Sequence, residues 1–133
     1  MKMAKNVLCF LTLGFFCATP LLAGELSDVT VKEAAELVAE KKESPGFVIL
    51  DVRTPGEFAE GHLERALNID VKSTGFYDEI MKLDKEKSYL VYCRSGKRSK
   101  KAQGIMGKSG FKDVINMKGG FLGWAKEGHP FEK

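Results

Sequence analysis

The sequence predicts an α/β domain built on a central parallel sheet of about five strands with helices on both faces. Three observations predict it. Strand-like and helix-like segments alternate along the chain, the pattern of βαβ units. Two segments, Phe47 to Val52 and Tyr89 to Tyr92, are nearly unbroken apolar runs, as strands covered on both faces require. Connections are short and carry Gly, Pro, Ser or charge, and a chain of 133 residues suffices for one core but not two.

The chain opens Met-Lys-Met-Ala-Lys-Asn, continues with an apolar run from Val7 to Ala18, and reaches Thr19, Pro20 and small residues around Ala23 and Gly24. Charged, apolar and cleavable regions in that order predict a signal peptide over 1–23, with the folded domain over 24–133 and an exported, periplasmic location. The rival is an uncleaved membrane anchor, because Val7 to Ala23 approaches the lower length limit for a spanning helix. Pro20 and the short apolar core favour cleavage.

From Val31 to Lys42 apolar residues recur at helical spacing, with Thr30 as N-cap and Glu33 completing a capping box. Ser44, Pro45 and Gly46 stop that helix before the strand Phe47 to Val52. A short strand follows at Ala66 to Ile69, then a helix at Phe76 to Leu83 and a buried strand at Tyr89 to Tyr92. Ser99 to Lys108 predicts a helix capped by Ser99, Asp113 to Met117 a strand, and Phe121 to Lys126 a final helical turn. In parallel sheets ligands gather beyond the carboxyl ends of the strands. Asp51 with Arg53, and Cys93 through Arg98, fall there.

The formal charge of +3 becomes about +1 without the leader, since Lys2 and Lys5 go with it. A near-neutral domain gives no support for nucleic-acid binding. Loss of Cys9 and Cys17 leaves Cys93 as the sole thiol. An unpaired cysteine in an oxidising compartment is inert in a core, paired with another molecule, or kept for chemistry.

Its neighbours argue for chemistry. Cys93-Arg94-Ser95-Gly96-Lys97-Arg98-Ser99 carries too much charge to be packed as apolar core. It should curl into a cradle whose amides, with the start of the following helix, face the sulfur, and Gly96 permits the tight curvature. A free thiol with pKa near 8.5 is only about 3% ionised at pH 7. Lowering that pKa by about two units takes roughly 2.7 kcal/mol, more than the 0.3–1 kcal/mol, roughly, that a helix terminus contributes. Nearby cations and several N–H groups aimed at the sulfur are therefore expected to share the task. Neither His62 nor His129 is close in sequence, so electrostatics rather than a general base should activate the nucleophile.

Cys93-Arg94-Ser95-Gly96-Lys97-Arg98 resembles the active-site loop of the rhodanese family. Other segments agree in order: Asp51-Val52-Arg53 followed by Pro55, Glu57 and Phe58; Gly61-His62-Leu63 followed by Ala66, Asn68 and Ile69; and Gly119-Gly120-Phe121 followed by Trp124. The resemblance covers nearly all of the chain after the leader. It implies a rhodanese-like domain in which Cys93 takes the outer sulfur of thiosulfate, or of polysulfide, as a persulfide and passes it to cyanide, a thiol or a protein acceptor. On this resemblance the amides of Arg94, Ser95, Gly96, Lys97 and Arg98 cradle the transferred sulfur. Arg94 and Lys97 attract the anionic donor, and Arg98 closes the loop by bonding its backbone or the substrate. Asp51 and Arg53 support the loop from behind, as does Ser99 through its helix cap, while His62 holds a turn and Trp124 packs in the core. No metal or cofactor is called for, no membrane insertion is expected after cleavage, and the chain is expected to be a monomer or homodimer.

Two other readings use the same residues. Related phosphatases and arsenate reductases place an Arg one residue further from the Cys, where this chain has Ser99, which argues against phosphoryl chemistry. A module that carries a persulfide or anion for a partner protein, without fast turnover, is the second.

Overall fold

The computed structural model describes residues 24–133; the signal peptide expected over 1–23 lies outside the described residues. Elements run β1 (Glu25–Val29), α1 (Val31–Lys41), β2 (Phe47–Asp51), α2 (Pro55–Glu60), β3 (Leu67–Asn68), α3 (Phe76–Met81), β4 (Ser88–Tyr92), α4 (Lys97–Lys108), β5 (Asp113–Met117) and α5 (Gly120–Lys126). The strands form one five-stranded sheet in the order β1-β5-β4-β2-β3, and every pairing is parallel. The expected α/β architecture with a five-strand parallel sheet is present.

Alternation along β4 shows how this sheet buries both faces. Tyr89, Val91 and Cys93 enter one core with Leu50, Phe76, Ile80, Ala102, Met106 and Phe111. Leu90 and Tyr92 enter the other with Val31, Ala34, Ile49, Leu63, Met117 and Trp124. The first layer therefore holds α3 and α4, and the second α1 and α5. Cys93 continues the alternation one step beyond the strand, so its side chain emerges from packed core into the turn above it.

The Thr30–Glu33 capping box is present, with Glu33 N–H donating to Thr30 Oγ1 at 3.1 Å. Two elements have no counterpart in the sequence pattern, and one expectation needs correction. Strand β1, which the apolar pattern did not reveal, is an edge strand with mostly exposed residues pairing in register with β5. Helix α2 was also unforeseen; Pro55 opens it and a second capping box, Thr54 with Glu57, fixes its start. Finally, α4 begins at Lys97 with Gly96 as its N-cap in the left-handed region, φ 106°. Ser99 is therefore not the cap. It lies inside the first turn, fully buried.

Candidate active site

The chain leaves β4 at Tyr92 and turns at once into α4, so Cys93 and the first turn of that helix lie at the carboxyl end of a central strand. Gly96 N–H donates to Cys93 Sγ at 3.1 Å, and Ser99 Oγ–H donates to the same sulfur at 3.4 Å. Cys93 is only 1% exposed. Burial pushes its thiol pKa up; the Ser99 hydroxyl and the amides of Ser99, Gly96 and Ser95 push it down, and the net pKa lies below the ordinary value. These neutral donors stabilise the sulfur anion in the way that hydrogen bonds to a charged form do. The strongest of these lowering influences come from uncharged donors, and of the loop cations Arg98 also interacts electrostatically with Cys93.

The cradle faces inward because something holds its carbonyls outward. Phe121 N–H donates to Cys93 O at 2.8 Å and Leu122 N–H to Arg94 O at 3.1 Å, so the first turn of α5 takes up the loop's acceptors. Gly119 and Gly120 make that approach possible, with φ of 84° and 55°. A Cβ on Gly120 would lie 2.5 Å from the carbonyl oxygens of both Cys93 and Arg94, which only glycine avoids. The sequence reading assigned Gly120 no site role, although a Gly-Gly pair at the end of a strand was the signal available.

Asp51 and Arg53 are paired with each other, and Arg53 lines the same cavity as Arg94. Arg53 Nη2 donates to Asp51 Oδ2 at 2.6 Å and Nε to Oδ1 at 3.0 Å, while Nη2 also reaches Gly61 O at 2.6 Å. The guanidinium sits 4.4 Å from the ring centroid of Phe121, linking the pair to the turn that shapes the cradle. Asn68 ties the same backbone together, donating to Asp51 O and Arg53 O.

Arg98 departs from expectation. Its guanidinium bonds neither the loop backbone nor open space; Nη1 donates to Glu57 Oε1 at 2.8 Å and Nη2 to Oε2 at 2.9 Å. A two-pronged pair of this kind has fixed geometry. Glu57 is the second residue that sequence reasoning left out of the site. Its pKa is held down at about 2, first by Arg98 and further by Thr54 against the opposing effect of burial. Arg94, Ser95 and Lys97 are exposed, and among the described residues neither Arg94 nor Lys97 is in an ion pair. A cavity of about 390 Å³ adjoins the loop at Arg94, bounded also by Arg53, Glu57, Phe121, Leu122 and Phe131.

His62 and Trp124 have the structural roles expected of them. His62 Nδ1 lies 2.8 Å from Phe58 O and its ring stacks on Phe58 at 3.7 Å; Trp124 is buried, and Nε1–H donates to Pro130 O. Among the described residues no group of three or more His, Cys, Asp or Glu could hold a metal ion, and no helix is long and apolar enough to cross a membrane.

Comparison with known proteins agrees with this architecture. A model of the family described as "Rhodanese-like domain" matches residues 30–127. The chain is 39% identical over 98 residues to "Thiosulfate sulfurtransferase GlpE" of Coxiella burnetii, covering 74% of this chain and 85% of that one. It is 32% identical over 83 residues to a "Sulfurtransferase" of Allochromatium vinosum, covering 62% and 76% respectively. Among solved structures, a rhodanese-like domain protein from Staphylococcus aureus superposes with TM-score 0.66 at 28% identity, covering 80% of this chain and 99% of that one. A rhodanese-related protein from Thermoplasma volcanium shares the fold with TM-score 0.69 at 24% identity over 80% of this chain and 97% of that one. The chain therefore belongs to the rhodanese-like domain family, and sulfur transfer is the activity that membership supports.

Proposed function

We propose that this protein moves sulfane sulfur from thiosulfate, or from polysulfide, to a thiophilic acceptor through a persulfide on Cys93. The observation that carries the reading is the set of donors on one sulfur: Gly96 N–H at 3.1 Å, Ser99 O–H at 3.4 Å and further amides, with a thiol pKa below the ordinary value. Such partners favour the anionic form of the sulfur, and the thiolate is the nucleophile.

In the first step the Cys93 thiolate attacks the outer sulfur of thiosulfate. A bond forms between Sγ and that sulfur, the sulfur–sulfur bond of thiosulfate breaks, and sulfite leaves with the electron pair. The anionic outer sulfur of the new persulfide then requires the same N–H donors that held the thiolate. In the second step the acceptor attacks that outer sulfur, and Cys93 leaves as thiolate, ready for another cycle. No oxidant or reductant is consumed. A dianion approaching a thiolate is repelled by it, and the exposed Arg94 and Lys97 supply the opposing charge.

Acceptors of this chemistry are thiols, cyanide or a protein thiol. Residues 1–23 are proposed as an export signal that delivers the domain over 24–133 to the periplasm, where the chain acts as a monomer or homodimer. The reading is tested by assaying purified protein for sulfite release from thiosulfate in the presence of cyanide or a thiol. Turnover that is lost in Cys93→Ser is expected; turnover that survives it overturns the reading.

A further inference from the structure

We propose that Glu57 is a positioning residue for the Cys93 thiolate: by clamping Arg98 from two sides it fixes the first turn of α4 and withholds one positive charge from the sulfur. The proposal rests on Cys93 being the nucleophile and adds a residue from a distant helix to its control.

The geometry is specific. Glu57 comes from the first turn of α2, where its carboxylate also accepts from Thr54 Oγ1–H at 3.1 Å. The carboxylate is thus oriented by its own capping box before it meets Arg98. Arg98 in turn immediately precedes Ser99, whose hydroxyl and amide both serve Cys93. The clamp therefore acts on the turn of helix that carries the sulfur's donors. The guanidinium and carboxylate side chains are 21% and 28% exposed, enough shielding for a two-pronged pair to hold its geometry.

Charge gives the second effect. Arg98 interacts electrostatically with Glu57 first, and also with Cys93 and Asp70. A bare guanidinium at that position would favour the thiolate and bind dianions; paired with Glu57 it presents little net charge. The remaining charged groups are otherwise arranged. Asp51 and Arg53 satisfy each other, Arg94 and Lys97 are exposed, Glu60 and Lys133 line the cavity, and Asp70 interacts with Arg98. Because the Glu57 carboxyl titrates only at about 2, the clamp stays closed across the working pH range and is a fixed setting, not a pH switch.

The test is the pH dependence of Cys93 alkylation by iodoacetamide in wild type, E57Q, R98A and the double variant, with KM for thiosulfate measured alongside. E57Q keeps the shape and loses the charge. Its alkylation midpoint should fall by about half a unit, about threefold more thiolate below the midpoint, and KM should fall about threefold. R98A leaves Glu57 uncompensated and frees the turn, so its midpoint should rise by more than that of E57Q falls, and the double variant, which restores the charge balance but not the clamp, should lie between R98A and wild type. Superimposable profiles, or shifts of the same sign in both single variants, overturn the proposal. If E57Q does not fold, an unmoved midpoint in R98A does so alone. Absence of sulfur transfer with these shifts in place would overturn the thiosulfate reading and leave the clamp intact, since alkylation requires only the thiolate.

Discussion

The amide of Phe121 donates to the carbonyl of Cys93 across 2.8 Å, joining the turn after β5 to the turn after β4. With Leu122 holding the Arg94 carbonyl in the same way, this contact turns the loop's acceptors outward and its N–H groups toward the sulfur. Two features far apart in sequence thus define one cradle.

Replacing Gly120 with Ala tests that dependence. The added Cβ would meet both carbonyls at 2.5 Å, at a φ of 55°. We expect a loss of about 2–3 kcal/mol in unfolding free energy and loss of most sulfur transfer, read by denaturant unfolding and by initial rates. Unchanged values in both would contradict the close packing of α5 on the loop.

Ser99→Ala removes the hydroxyl that donates to Cys93 Sγ. Hydrogen bonds to a charged group contribute about 1.5 kcal/mol, which corresponds to about one pH unit. The Cys93 pKa is depressed in the native protein, so loss of a donor raises it and moves the rise of thiolate ultraviolet absorbance to higher pH. Sulfur transfer at neutral pH should slow by up to about tenfold.

Much of this was legible from residue order alone. The runs Phe47 to Val52 and Tyr89 to Tyr92 announced central strands because burial on both faces leaves no room for polar alternation. Cys93 was legible as the candidate nucleophile because a charged, glycine-bearing turn follows a buried strand. Strand β1 was not, since Glu25–Val29 is an exposed edge with no apolar signal. Ser99 was misread as a cap because Gly96 starts α4 with backbone conformation alone and no side-chain cap. Arg98 was assigned to the loop backbone or the substrate because its partner in the structure, Glu57, lies 41 residues upstream and only the folded sheet brings them together.

Lys97→Ala should act on substrate capture. Lys97 is exposed, so its charge steers and does not position. KM for thiosulfate should rise about two- to fivefold at low salt, with kcat little changed, and the difference from wild type should shrink as salt shortens the Debye length to about 8 Å. A salt-independent effect would exclude steering.

Asp51→Asn should be costly for stability. It leaves Arg53, only 3% exposed, without its counter-charge, and breaking a buried pair typically costs about 3–5 kcal/mol. Denaturant unfolding should show that loss. A change under about 1 kcal/mol would mean that Gly61 O and the Phe121 ring alone satisfy the guanidinium.

Intact-protein mass spectrometry after brief exposure to thiosulfate, followed by a thiol acceptor, addresses the proposed sulfur-carrying role of Cys93 most directly. A gain of one sulfur atom on wild type, absent from Cys93→Ser and removed by the acceptor, is the predicted result. No gain on the wild-type protein, or a gain that persists without Cys93, would contradict it.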